Sequence, residues 1–217
     1  MSNIINFDSE INWDLFKLGK SGRQIKLYYN KSIVCFQTSS LYTPFGVNSY
    51  SNQWTDIDTF SINCSFLDTI NKDKFTTFFN KLDEKIKSLI YENLDLFNIV
   101  DENVIKYCSM YKKQQNKSSN YPPLINLNFK RDTNGNFSTI YYNENSEQVM
   151  LTESNIYELI PKKSCFKTIL SINKISFYNN SIYINIVIDQ IKKNIKNKSE
   201  TSNTTNDFTK LLILDDD

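Results

Sequence analysis

The 217-residue chain contains no histidine. That removes the side chain most often used for proton transfer near neutral pH and the commonest metal ligand. Its four cysteines, Cys35, Cys64, Cys108 and Cys165, lie far apart with no C-x-x-C pair; no thiol or metal site is legible, and buried free thiols are expected. H-E-x-x-H is absent, and Asp83-Glu84 reads as part of a solvated helix face paired with Lys87 at i to i+4. Gly19-Lys20-Ser21-Gly22 lacks the earlier glycine and the strand-to-helix setting of a phosphate loop and reads as a turn. Nothing approaches the roughly 20 apolar residues that cross a bilayer, and the N-terminus has no basic region ahead of an apolar core. The expectation is a reduced, cytosolic, non-enzymatic chain with no cofactor, no metal and no membrane partner.

What is present is aromatic and banded in charge. Fifteen Phe and 13 Tyr suit pleated, half-buried surfaces. Net charge is only +1, but the signs separate along the chain. Residues 17–31 hold five basic and no acidic residues, 104–131 hold six basic and no acidic ones, and 162–198 hold eight lysines against Asp189. Between them, 53–103 and 132–161 are each net −5. A fold that gathers the basic blocks would make a cationic stripe for phosphates.

The periodicities predict a mainly β chain with one long helix. Gln24 to Tyr29 and Ile33 to Thr38 flank the turn at Asn30-Lys31-Ser32 as a hairpin, with Lys26 and Tyr28 sharing one face. Thr43-Pro44-Phe45-Gly46 is a turn, followed by an aromatic loop. Residues 57–66 alternate as a half-buried strand. Apolar residues from Phe75 to Ile90 recur at three and four, which predicts an amphipathic helix over 71–94. A polar, basic loop over 111–120 ends at Tyr121-Pro122-Pro123. Ile125 to Phe129 and Phe137 to Tyr141 read as a second hairpin around Asp132 to Gly135. Cys165 to Ile172, Ile175 to Tyr178 and Ile182 to Ile191 are three more β runs. The domain layout is then an arm over 1–16, a barrel over 17–192, and a disordered linker with an acidic tip over 193–217.

The informative constellation is basic and aromatic interleaving, because base stacking on a ring tolerates any sequence while lysines follow phosphates. The candidates are Lys26 with Tyr28, Tyr111 with Lys112 and Lys113, Lys130 and Arg131 near Tyr141, with Tyr42 and Tyr183 beside them. The tip, with Leu212, Leu214, Asp215, Asp216 and Asp217, would pack as a last strand, serve as a peptide bait for protein partners, or occupy the basic groove when nucleic acid is absent.

The order of pieces resembles the predicted single-stranded-DNA-binding proteins of nucleocytoplasmic large DNA viruses, whose barrels are similar to the OB-fold binding proteins of some phages. The resemblance rests on Ile33 to Thr38 leading into Pro44-Phe45-Gly46-Val47, Phe60-Ser61-Ile62, the helix through Leu82-Asp83, Tyr121-Pro122-Pro123-Leu124, and the closing hairpin from Ile175-Ser176-Phe177 to Ile191 with Gln190. It spans about residues 20–192. Ser39 stands where a proline is expected, Leu96-Phe97 where a tryptophan is, and Asn180-Ser181 where a glycine is usual. The resemblance implies an OB-like antiparallel β-barrel with an inserted helix. Its implied partners are single-stranded DNA, with RNA as an alternative, replication proteins at the C-terminal tip, and a second copy of the chain. It also implies viral replication or repair in the host cytoplasm, at the viral factory or packaged in the virion, and no catalytic residues. The alternative is a virion scaffold that uses the loop 42–54 and the tip for protein contacts.

Overall fold

In the computed structural model, which describes residues 4–51, 57–66, 72–112 and 123–194, apolar and polar residues alternate along most of the chain's strands. The first half runs β1 (Ile4–Ile5), β2 (Phe16–Ser21), β3 (Gln24–Tyr29), β4 (Ser32–Ile33), β5 (Cys35–Gln37), β6 (Leu41–Thr43), β7 (Val47–Tyr50) and β8 (Thr59–Phe66). The helix α1 (Lys72–Glu92) follows, then β9 (Lys106–Tyr107), β10 (Tyr111–Lys112), β11 (Leu124–Phe129), β12 (Ile140–Tyr142) and β13 (Gln148–Val149). A single turn, α2 (Ile156–Leu159), leads into the long hairpin of β14 (Ser164–Tyr178) and β15 (Ser181–Lys193).

Five segments close a ring. β6 pairs antiparallel with β8, β8 with β11, β15 with β14, and β14 with β6, while β11 meets β15 in a parallel seam. This is the OB-like barrel that the sequence suggests. Phe60, Ile62 and Cys64 of β8, Ile125 and Leu127 of β11, and Ile182, Ile186 and Ile188 of β15 fill its interior. The helix lays Phe75, Phe78, Phe79, Leu82, Ile86, Leu89 and Ile90 against that core. Its phenylalanines meet Phe36 and Phe66 at ring centroid distances of 4.9–6.3 Å, within the range of favourable aromatic contacts.

Two turns depend on residues that tolerate positive φ. Asn30 and Lys31 (φ 45° and 68°) join β3 to β4, and Asn179 and Asn180 (φ 46° and 56°) join β14 to β15. Asparagine accepts this left-handed region more readily than most residues, so the hairpin tip needs no glycine. At Gly46 (φ 71°) a Cβ would lie 3.0 Å from the Lys162 backbone nitrogen, so that bend requires glycine.

The structure departs from the expected elements at several points. Phe16–Ser21, expected to end in a turn, is a full strand paired with β3. The runs before and after Asn173 are one strand, because a bulge there lets β14 continue to Tyr178. The second hairpin, around Asp132, is cut to a single antiparallel bridge from Arg131 to Phe137 with the Asp132–Asn136 and Ser138–Lys130 backbone bonds on either side, and β12 then pairs with β15 and β13. At its turn the Asp132 carboxylate accepts from the Asn134 and Asn136 amides. Those bonds, the Asn136 amide first among them, hold the Asp132 carboxyl below its usual range. In the N-terminal segment β1 pairs with β5, Phe7 packs on Phe75, and Trp13 stacks on Phe16. The C-terminal tip, including Leu212, Leu214, Asp215, Asp216 and Asp217, lies outside the described residues.

Candidate nucleic-acid interface

β2 and β3 show how register builds a surface. Lys17 pairs with Tyr28 and Gly19 with Lys26, while Leu18 pairs with Leu27. Directly opposed residues share a face. Leu27 is fully buried, so Lys17, Gly19, Lys26 and Tyr28 point outward together. A Cβ on Gly19 would lie 3.1 Å from Cε2 of Tyr28, so the phenol ring rests over the glycine backbone.

The sheet continues through the distal half of the long hairpin. Ile25 of β3 pairs with Ile175 of β14, and both are buried. One step along, Lys26 and Lys174 are therefore directed outward side by side. Ser176 pairs with Tyr183 and Tyr178 with Ser181, and Ser181 is the parallel partner of Lys106 on β9. Tyr178 is 68% and Tyr183 47% exposed. One outward face thus carries Lys17, Lys26, Lys106 and Lys174 with Tyr28, Tyr178 and Tyr183. The segments 16–21, 24–29, 106–107, 173–178 and 181–185 contain no Asp or Glu. Among the described residues, none of the four lysines has an ion-pair partner.

Of the residues singled out from the sequence, Lys26, Tyr28 and Tyr183 lie on this face. Lys112 is the register partner of Leu124 on β11, next along the sheet edge, and Lys113 lies outside the described residues. The others go elsewhere. Tyr42 is half-buried, opposite Cys165 and Ser65 at the far end of β14. Tyr141 is 1% exposed, with its hydroxyl donating to the Leu159 carbonyl, so it offers no ring face to a base. Tyr111 packs edge-on against Phe66 and Phe79, and burial raises its hydroxyl pKa. Lys130 is tied to Asp189 at 3.1 Å.

Arg131 is a structural residue. Its Nε donates to the Gly135 carbonyl at 2.6 Å and its Nη1 to the Asp58 carbonyl at 2.8 Å. The guanidinium also meets Glu153 and lies over the Phe60 and Phe137 rings, 5.1 and 4.9 Å from their centroids. Arg131→Ala leaves two carbonyls without this donor and removes the cation from two rings. The expected loss is about 2–4 kcal/mol of stability, read as a fall in Tm of roughly 5–15 °C, with oligonucleotide affinity unchanged.

Lys17, Lys106, Lys174 and Tyr178 were missed from sequence. Alternation alone marks Lys174, Ser176 and Tyr178 as one face of their strand; that Lys17 and Lys106 join them depends on long-range register. Asp83 also differs from expectation. It accepts from the Tyr107 hydroxyl at 2.7 Å, the Ser109 hydroxyl at 2.7 Å and the Met110 amide at 3.0 Å. This clamp fixes the segment carrying β9 and β10 onto α1, and burial with the nearby Asp83 charge raises the Tyr107 pKa. Among the described residues no three His, Cys, Asp or Glu side chains gather as a metal site.

Gly19 gives a local test of the face. Gly19→Val places a side chain where the Tyr28 ring lies, in a strand position that suits a β-branched residue. The expected result is an unchanged fold by circular dichroism and an oligonucleotide affinity lower by about 3–10-fold, no more than truncating Tyr28 itself would cost.

The sequence matches no protein-family model and no curated protein sequence. The fold is similar to solved structures of a phage protein. The single-stranded DNA-binding protein from bacteriophage Enc34, solved in complex with ssDNA, superposes with a TM-score of 0.52 at 12% identity, over 84% of this chain and 97% of that one. A second solved structure of the same phage protein gives 0.51 at 12% identity, over 90% and 97%. The single-stranded DNA binding protein gp2.5 encoded by bacteriophage T7 gives 0.47 at 7% identity, over 83% and 98%.

Proposed function

We propose that the chain is a non-enzymatic single-stranded DNA-binding protein that grips its ligand without requiring a particular sequence. The carrying observation is the acid-free outward face on which four lysines interleave with Tyr28, Tyr178 and Tyr183. Bases stack on the rings, each for about 1–3 kcal/mol, and the lysines follow the phosphates. The barrel supports this reading, since OB folds hold oligonucleotides on their outer strands and adjoining loops, and a phage protein of similar fold was solved with ssDNA bound. The order of motifs that resembles large-DNA-virus proteins supports a role in viral DNA replication or repair in the host cytoplasm, with the acidic C-terminal tip recruiting replication proteins.

Fluorescence anisotropy with labelled oligo-dT at two salt concentrations tests the proposal. Binding that weakens steeply with salt is expected. A scaffold protein would give neither affinity nor a salt slope, and that result would overturn the reading.

A further inference from the structure

Beyond the tyrosines and lysines, the outer side of the barrel carries a second, half-buried row of different chemistry. Asn48 of β7 pairs with Ser61 of β8, Ser61 with Asn128 of β11, and Asn63 with Asn126. Their chain neighbours Phe60, Ile62, Cys64, Ile125, Leu127 and Phe129 fill the core, so these five polar side chains point away from it. None of the five carries a charge or a ring.

Asn128 Nδ2 donates to the Ile186 carbonyl at 3.4 Å, but the bonding of the other four is incomplete. Asn126 Nδ2 donates to Asn63 Oδ1 at 3.1 Å, and among the described residues the Asn63 amide nitrogen and Asn126 Oδ1 make no bond. Ser61 is 1% exposed, yet its hydroxyl has no partner among the described residues, and the buried Asn48 Nδ2 directly across from it has none either. Buried orphans are rare because each forfeits its hydration without replacement. Two of them adjacent in register, beside a half-used amide pair, leave the row with polar capacity that the described residues do not fill.

We propose that Asn48, Ser61, Asn63, Asn126 and Asn128 form a base-edge-reading subsite that adds a preference among bases to the tolerant grip of the tyrosine–lysine face. This rests on the proposed DNA binding. Phosphate would call for cations, which the row lacks, whereas a base edge offers a donor beside an acceptor, as an amide does. The two faces belong to neighbouring strands: β11 joins β15 at Asn128 and Val187, and Lys112 of β10 stands opposite Leu124.

The first arm of the test modifies the ligand and leaves the protein unchanged. Thymidine and N3-methylthymidine 12-mers share phosphates and stacking rings, but methylation removes the edge donor. Wild-type protein should bind the methylated oligomer at least about fivefold more weakly, as for the loss of one base-edge contact. In Asn63→Ala/Asn126→Ala the two oligomers should bind within about twofold of each other, with the salt slope intact. Equal wild-type affinity for both would overturn the inference while leaving DNA binding standing, as would an undiminished difference in the double variant. No salt-dependent binding of either oligomer would overturn both.

Discussion

Replacing Tyr28, Tyr178 and Tyr183 together by alanine should lower the affinity for oligo-dT by at least about a hundredfold at constant salt. Each ring is worth about 1–3 kcal/mol to a stacked base, so even the low end of three contributions exceeds two orders of magnitude. Tyr178 and Tyr183 are 68% and 47% exposed, so truncating them removes little from the core and Tm should hardly move. The salt slope should stay as it is, because no phosphate contact is lost. Tyr141→Phe is the matching control: its hydroxyl bonds the Leu159 carbonyl inside the barrel, so stability falls and affinity does not. A triple variant that binds like the wild type would sink the stacking half of the proposal.

Exchanging Lys17, Lys26, Lys106 and Lys174 for glutamine should act through salt. Each lost phosphate contact on a single strand lowers the slope of log K against log salt by about 0.7, so the quadruple variant should lose roughly 3. At 0.15 M salt that amounts to about two orders of magnitude in affinity. Lys130→Gln separates position from charge. It removes the same unit charge, but Lys130 is held by Asp189, which also accepts from the Cys35 thiol at 3.3 Å. Its slope should change little. Equal effects at Lys130 and Lys26 would mean that net charge alone, and not a built face, governs binding.

Local patterns in the sequence carried the helix and the alternating strand of residues 59–66, because their periods of 3.6 and 2 survive into the fold unbroken. The face itself was harder to read. Lys26 and Tyr28 were visible as a pair, but their neighbours Lys174 and Tyr183 come from a hairpin some 150 residues later, and no local pattern reports that pairing. Asn173 obscured the strand that carries Tyr178, since a bulge breaks strict alternation. Lys130 and Arg131 looked like free cations because their acids, Asp189 and Glu153, are 59 and 22 residues away. Tyr141 looked like a strand-edge ring; its parallel pairing with Ile191 turned it inward.

The closure of the ring has a consequence in time. Thr38 and Thr168 share a hydrogen bond across 130 residues, and the last seams need β15, which ends at Lys193. Contacts so distant in sequence carry a large loop-closure cost before they repay it, which slows folding. During synthesis α1 and β8 leave the ribosome with their apolar faces uncovered and wait for nearly the whole chain. A nascent chain stalled before residue 164 should therefore remain protease-sensitive, and the barrel should acquire its resistance in one late step.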